Sequence, residues 1–329
     1  MKTKPLFLIA RLFPVIFLLL SIIPSLLSAQ VNEAFNNAVL DGKIDKVKSM
    51  ISSGVNVNST GKNEESALVG CAKQSFAINA HLDMFKLLLK SGADMYTTQR
   101  GGGTIMSICI INKNIDFVKA LVENGYDVNF KPQHDIPAII TAVRTNDSFM
   151  ILKILVEHGA DVNTRDEFSS TALFCSAASN QLEACKYLIE HGADVNVQQV
   201  KNNGGRTALI NASGVGSLDL IKLLVESGAK LNVKASDGET PLHRAVGNKN
   251  PEVLKYMIAK GADINAKMQY GVTPLMIAAQ NNNLEKVKIL IESKAKVNMK
   301  ESSGYTALVY AKNNRNEEMI NLLKQAGAK

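Results

Sequence analysis

From residue 31 onward, apolar side chains recur every three to four positions in stretches that are short and evenly spaced. Leu218-Asp219-Leu220-Ile221-Lys222-Leu223-Leu224-Val225-Glu226 is representative: its aliphatic residues fall on one side of a helix, with Asp219, Lys222 and Glu226 on the other. Helices this short are marginal in water by themselves, so the pattern demands packing partners. Each such stretch is followed by a glycine, the residue best suited to a left-handed helix stop. Upstream lies a second, shorter apolar stretch opened by Thr or Ser. In Thr240-Pro241 and Thr273-Pro274 the hydroxyl can cap and the proline fits the first turn. Pairs such as Asp237-Gly238 supply the turn between one unit and the next. The predicted unit is turn, short helix, tight connection, longer helix, stop.

The unit repeats. Gly-Ala-Asp-Val-Asn or a near copy begins at Gly54, Gly92, Gly125, Gly159, Gly192, Gly228, Gly261, Lys294 (in place of Gly) and Gly327, at intervals of 33 to 38 residues. A second phrase runs in register with it: Thr240-Pro241-Leu242-His243-Arg244-Ala245-Val246 and Thr273-Pro274-Leu275-Met276-Ile277-Ala278-Ala279, with weaker copies from Ser66, Thr104, Ile136, Thr171, Thr207 and Thr306. These phrases and their period resemble the ankyrin repeat. The resemblance implies an all-α solenoid of about nine stacked units, each a helix–turn–helix with a β-hairpin finger, over residues 30–329. It also implies a non-catalytic surface for binding proteins. Only the unit at 240–246 keeps Thr-Pro-Leu-His intact.

The departures from the pattern are informative. The first unit, 31–58, has no preceding finger, and the last, 299–329, carries Asn316-Glu317-Glu318 and Lys324-Gln325 on its outer side; both read as caps, because an end unit has a face no neighbour covers. Extra residues fall between the helices of the second unit (Ser75 to His81) and in the sixth finger (Gln199 to Asn203).

Residues 1–29 follow another logic. Lys2, Lys4 and Arg11 precede an almost wholly apolar run from Leu12 to Leu27, which ends in Leu27-Ser28-Ala29. A basic start, an apolar middle and small residues at the end are the order of a secretory signal peptide. The expectation is cleavage after Ala29 and an exported product, periplasmic or secreted. An uncleaved span over residues 5–27 would instead anchor the chain in the membrane.

Composition narrows the chemistry. Trp is absent and aromatics are 5% of residues, which suits thin helical layers better than one large core. The formal charge of +7 falls to +4 once Lys2, Lys4 and Arg11 are set aside, too weak a footprint to expect nucleic acid. One lysine per unit, from Lys48 to Lys288, forms a ladder, but most have an acid three residues earlier, as Asp45 and Glu252 do, so the face reads as solvated and ion-paired.

No catalytic pattern stands out. Gly101-Gly102-Gly103-Thr104 lacks the preceding strand and the lysine of a phosphate loop. His158 and His191 precede the helix-stopping glycines, where a cation suits the helix dipole, and no third ligand of fixed spacing joins them. His243 is expected on finger backbone, and His81 and His134 in loops. Cys71 and Cys109 share one repeat position in adjacent units, where helices lie about 8–10 Å apart, beyond the roughly 7 Å that a disulfide spans between Cα atoms. Cys175 and Cys185 face one another across one helical hairpin and are left open between a disulfide and two buried thiols. No metal, cofactor, small-molecule substrate or enzymatic activity is expected.

The finger tips carry the unusual residues. Phe168 and Tyr270 stand three residues before the helix-opening Thr, where the family the chain resembles has a small polar residue. Tyr96, Phe130 and Tyr305 lie in or beside other fingers, with Arg100, Arg165, Lys201 and Lys234. Aromatic and arginine side chains dominate protein interfaces. This rim is therefore the expected contact surface for another protein, with a polyanion or membrane-surface binder as the alternative function.

Overall fold

The computed structural model describes residues 27–61, 64–74, 78–98, 103–131, 136–200 and 204–329. Arg100, Lys201, His134 and the apolar run of the expected signal peptide up to residue 26 lie outside them. The described chain is helical, without extended strands, and divides into two compact units that meet at Ala138–Ile139. No helix among the described residues is long and apolar enough to cross a membrane.

In the first unit the helices come in pairs: α1 (27–40) with α2 (Ile44–Ser52), α3 (Ala67–Lys73) with α4 (Ile78–Lys90), and α5 (Ile105–Ile111) with α6 (Ile115–Glu123). α1 runs unbroken through the expected processing point at Ala29 and buries Phe35, Ala38 and Val39. α4 is 13 residues long against nine in α2 and α6. The insertion is thus taken up partly as an added N-terminal turn. This corrects the expectation for His81: it lies within α4, buried, with Nε2 3.3 Å from the Leu40 carbonyl. Phe85 of α4 stacks on Phe117 of α6, their centroids 4.4 Å apart.

The second unit continues as α7 (Ala138–Arg144) with α8 (Phe149–Glu157), α9 (Ala172–Ala178) with α10 (Leu182–Glu190), and α11 (Ala208–Val215) with α12 (Leu218–Glu226). α13 (Pro241–Gly247) with α14 (Pro251–Ala259), α15 (Pro274–Gln280) with α16 (Leu284–Glu292), and α17 (Ala307–Asn313) with α18 (Glu317–Gln325) complete it. From α9 on, successive first helices pack on one another to form one layer, and successive second helices form another. The inner layer buries small residues such as Ala177, Ala212, Ala245, Ala278 and Ala311; the larger Leu188, Leu224, Leu254, Leu290 and Leu323 fill the space behind them. A fully buried leucine contributes about 1.5–3 kcal/mol. The stack is held by summing many such contacts.

Helix starts follow the sequence. Ser66, Thr104, Thr171, Thr207 and Thr273 each accept the backbone N–H three residues on. The stops follow too: Gly261 has φ +95°, and Lys294, at the equivalent place, is held at φ +69°. A left-handed conformation costs a residue with a side chain about 1–2 kcal/mol. The helix-to-helix links of the second unit also differ. Three residues join α9 to α10, α13 to α14, α15 to α16 and α17 to α18, while four, 145–148, join α7 to α8.

Candidate functional site

The Gly-Ala-Asp-Val-Asn phrase is a clamp between neighbouring repeats. Its aspartate accepts the N–H two residues on, as Asp161 does from Asn163 (2.9 Å) and Asp263 from Asn265 (3.0 Å). The turn so formed aims the asparagine forward. Asn163 donates to the Gly192 carbonyl (2.9 Å) and accepts from the Asp194 N–H (2.8 Å). Asn196, Asn232 and Asn298 repeat both bonds one repeat further along.

Tyr96, which takes the asparagine position in the phrase that begins at Gly92, does part of the same work with its hydroxyl, accepting the Asp127 N–H at 3.0 Å. Its ring stacks on Tyr126 (5.1 Å) and meets Phe130 edge-on (4.7 Å). Tyr96 and Phe130 are therefore held by ring contacts within the first unit, with Tyr96 still 36% exposed.

The fingers of the second unit are tight turns closed by backbone bonds, such as Asp166 N–H to Ser170 (3.1 Å), Ala235 to Glu239 (2.8 Å) and Met268 to Val272 (3.0 Å). Neighbouring tips are bonded to each other. Ser236 N–H donates to Gly204, Gln269 to Asp237 (2.6 Å) and Ser302 to Tyr270 (2.7 Å), with the Ser302 hydroxyl adding a bond to the same Tyr270 carbonyl. Fully formed hairpin strands are absent among the described residues. Antiparallel bridging is confined to Thr60 with Ser66, Thr98 with Thr104 and Gln198 with Thr207.

Ion pairs set the fingers against the inner helices. Asp166, its side chain 3% exposed, pairs with Arg144 at 2.8 Å and accepts the N–H groups of Phe168 (2.9 Å) and Ser170 (2.8 Å). Glu239 lies between Arg206 (3.1 Å) and Arg244 (3.9 Å). Burial raises the Glu239 pKa, opposed by those two guanidinium groups. His243 spans the next finger: its Nδ1 accepts the Thr240 N–H (3.2 Å) and its Nε2 faces the Val272 carbonyl (3.3 Å). Burial holds its pKa below the usual imidazole range.

On this frame the expected rim residues separate. Tyr270 is 66% exposed and Phe168 45%, each projecting from its tip. Tyr270 stands at φ +63°, a strained position for a bulky side chain, followed by Gly271 at φ +81°. Beneath it, Asp237, His243, Arg244, Met268, Val272 and Gln280 line a groove of about 460 Å³. Tyr305 is 43% exposed and meets Tyr310 edge-on at 5.7 Å. Arg165 and Lys234 are exposed, and Lys234 Nζ reaches the Lys267 carbonyl at 3.3 Å.

The remaining candidates resolve as scaffold. His158 and His191 bond through Nδ1 to carbonyls of their own helices, Ile154 and Tyr187. Cys175 and Cys185 stand as separate thiols in the structure. Both thiols are free and buried; Cys185 lies 3.2 Å from the Ser176 hydroxyl, and Cys175 interacts with Arg144. Burial raises the pKa of both, that of Cys185 to about 11. No group of His, Cys, Asp and Glu able to hold a metal occurs among the described residues.

The lysine ladder forms its expected pairs at Lys48–Asp45 (3.7 Å) and Lys255–Glu252 (2.7 Å); Lys153 instead sits over the Phe149 ring. Sequence reasoning missed Lys286. It takes the buried register held by Leu220 and Val253 in the preceding units, and its ammonium caps the carbonyls of Val246 and Asn248 at the end of α13. A lysine in an apolar register was the available signal.

Paired helices, forward clamps and bonded finger tips define a helical-repeat protein. Residues 35–132, 131–199, 197–268 and 242–329 match the family model for ankyrin repeats (3 copies), and the chain belongs to that family. No curated protein matches it. Ankyrin repeats typically mediate protein–protein interaction, and proteins built from them are generally non-catalytic.

Proposed function

We propose that the chain is a scaffold of nine ankyrin repeats that binds another protein outside the cytoplasm. Its contact rim is formed by Phe168, Tyr270 and Tyr305, with Arg165 and Lys234 beside them. The observation that carries this reading is Tyr270. An aromatic ring two-thirds exposed, on a backbone held at positive φ, is costly in the chain alone. Backbone strain of this kind is stored where a surface has work to do. The pre-ordered finger below it means that a partner need not order the scaffold on binding. Export rests on the basic, apolar and small order of residues 1–29.

The test is capture from the exported fraction with the immobilised chain and its Phe168→Ser, Tyr270→Ser double variant. Proteins held by the parent and lost by the variant, at matching thermal stability, support the rim; identical retention refutes it. Mass measurement of the exported product, expected to start at Gln30, tests the compartment separately.

A further inference from the structure

At the opposite end of the helices from the fingers lies a second concavity. A crevice of about 380 Å³ opens between the α7–α8 link and the start of α10, walled by Ala142, Phe149, Leu152, Leu182 and Ala184. It coincides with the one link in this unit that has four residues, and with the interval of 34 from Gly125 to Gly159. The link passes through Asp147 at φ +61°, as the three-residue links do at Asn180, Asn282 and Arg315, and delivers Ser148 to the start of α8. A serine there should cap the helix, as Ser217 does for α12 by accepting the Leu220 N–H. Ser148 does not: its side chain makes no capping bond. It is 4% exposed, lines the crevice, and its hydroxyl has no hydrogen-bond partner.

A buried hydroxyl left unpaired costs about 1–3 kcal/mol, and it stands here beside an apolar hollow in the size range of ligand sites, roughly 300–1,000 Å³. We propose that the crevice binds a small uncharged molecule with an apolar body of one or two rings and one hydrogen-bonding oxygen. The body displaces water from Phe149, Leu152 and Leu182. The oxygen accepts the Ser148 hydroxyl. Asp147 and Glu183 at the rim disfavour an anion of the same shape. This site is separate from the finger-tip rim and does not depend on it.

1-Naphthol is a suitable probe: two rings, one hydroxyl, and a fluorescence that no tryptophan of this chain obscures. The expected result on the full chain is saturable one-to-one binding, with shifts in the methyl resonances of Leu152 and Leu182. Ser148→Ala should weaken 1-naphthol about three- to tenfold, the worth of one hydrogen bond, and leave naphthalene unchanged. Ala184→Phe, which fills the hollow, should abolish both, and 1-naphthalenesulfonate should not compete. Absence of saturable binding, methyl shifts elsewhere but not at Leu152 and Leu182, or equal effects of Ser148→Ala on the two probes would overturn the assignment. Should Ala184→Phe fail to fold, the methyl shifts and the two-probe comparison decide.

Discussion

Replacing Asp166 by alanine tests how a finger is held. Its carboxylate satisfies two backbone donors, Phe168 and Ser170, and one guanidinium, Arg144, while itself 3% exposed. Alanine strands all three. Each buried donor left unpaired costs about 1–3 kcal/mol. Breaking a buried ion pair from one side costs about 3–5 kcal/mol, but Arg144 is 38% exposed and water recovers part of that. The expected local loss is therefore about 3 kcal/mol, at the lower end of these ranges. Asparagine keeps an acceptor for the two N–H groups and gives up only the charge assistance, for about 1 kcal/mol. Repeat arrays open locally, so a single global unfolding energy is a poor readout. Hydrogen exchange over residues 164–180 is the better one. At 1.4 kcal/mol per factor of ten, Asp166→Ala should speed exchange there about a hundredfold and Asp166→Asn about fivefold. A change under threefold for alanine, or equal effects of the two variants, would refute the assignment of Asp166 as the finger's anchor.

His243 makes the fingers at 235–239 and 268–272 acid-sensitive. Its folded pKa is depressed by burial, so its contribution is complete above the ordinary imidazole value of about 6.5. It is lost as pH falls below that value, by up to about 1.4 kcal/mol per pH unit, until the depressed folded pKa is passed. Hydrogen-exchange protection over residues 234–246, corrected for intrinsic rates, should fall between pH 8 and pH 5.5 in the parent and much less in His243→Asn; equal losses in both would contradict this. The thiols give a separate check. Burial raises Cys71 to about 12 and Cys185 to about 11, and Cys109 and Cys175 also upward. At pH 8 the native chain should react slowly with a thiol reagent and yield four thiols on denaturation without reductant. Two would mean that Cys175 and Cys185 are bridged after all.

Much of the fold was readable because its causes are local. A Thr that caps, a Gly that ends a helix and a face that must be covered are written within a few residues of where they act. Thr273 and Gly261 behave as their neighbours in sequence imply. What sequence could not show are contacts whose two halves lie a repeat apart. Tyr96 reads as a free-standing aromatic until the Asp127 N–H and the Tyr126 ring arrive beside it. His81 reads as a loop residue because an insertion can lengthen a loop or a helix, and only packing on Leu40 distinguishes them. Phe168 and Tyr270 read from sequence as finger-tip residues that could project or fold back onto the adjacent finger, and only the packed structure shows them 45% and 66% exposed. Ser148 was overlooked because its sequence fits a routine helix cap; its failure to cap exists only in three dimensions.

The forward reach of the asparagines has a consequence for how such a chain tolerates change. Each fastening joins main-chain atoms to main-chain atoms through one amide, so it does not read the identity of the helices it connects. Side chains between one fastening and the next can drift, and whole segments of thirty-three residues can be spliced in or out, while the join stays chemically the same. The molecule is assembled like a zip with interchangeable teeth, and new faces can be offered to the outside without redesigning the seam.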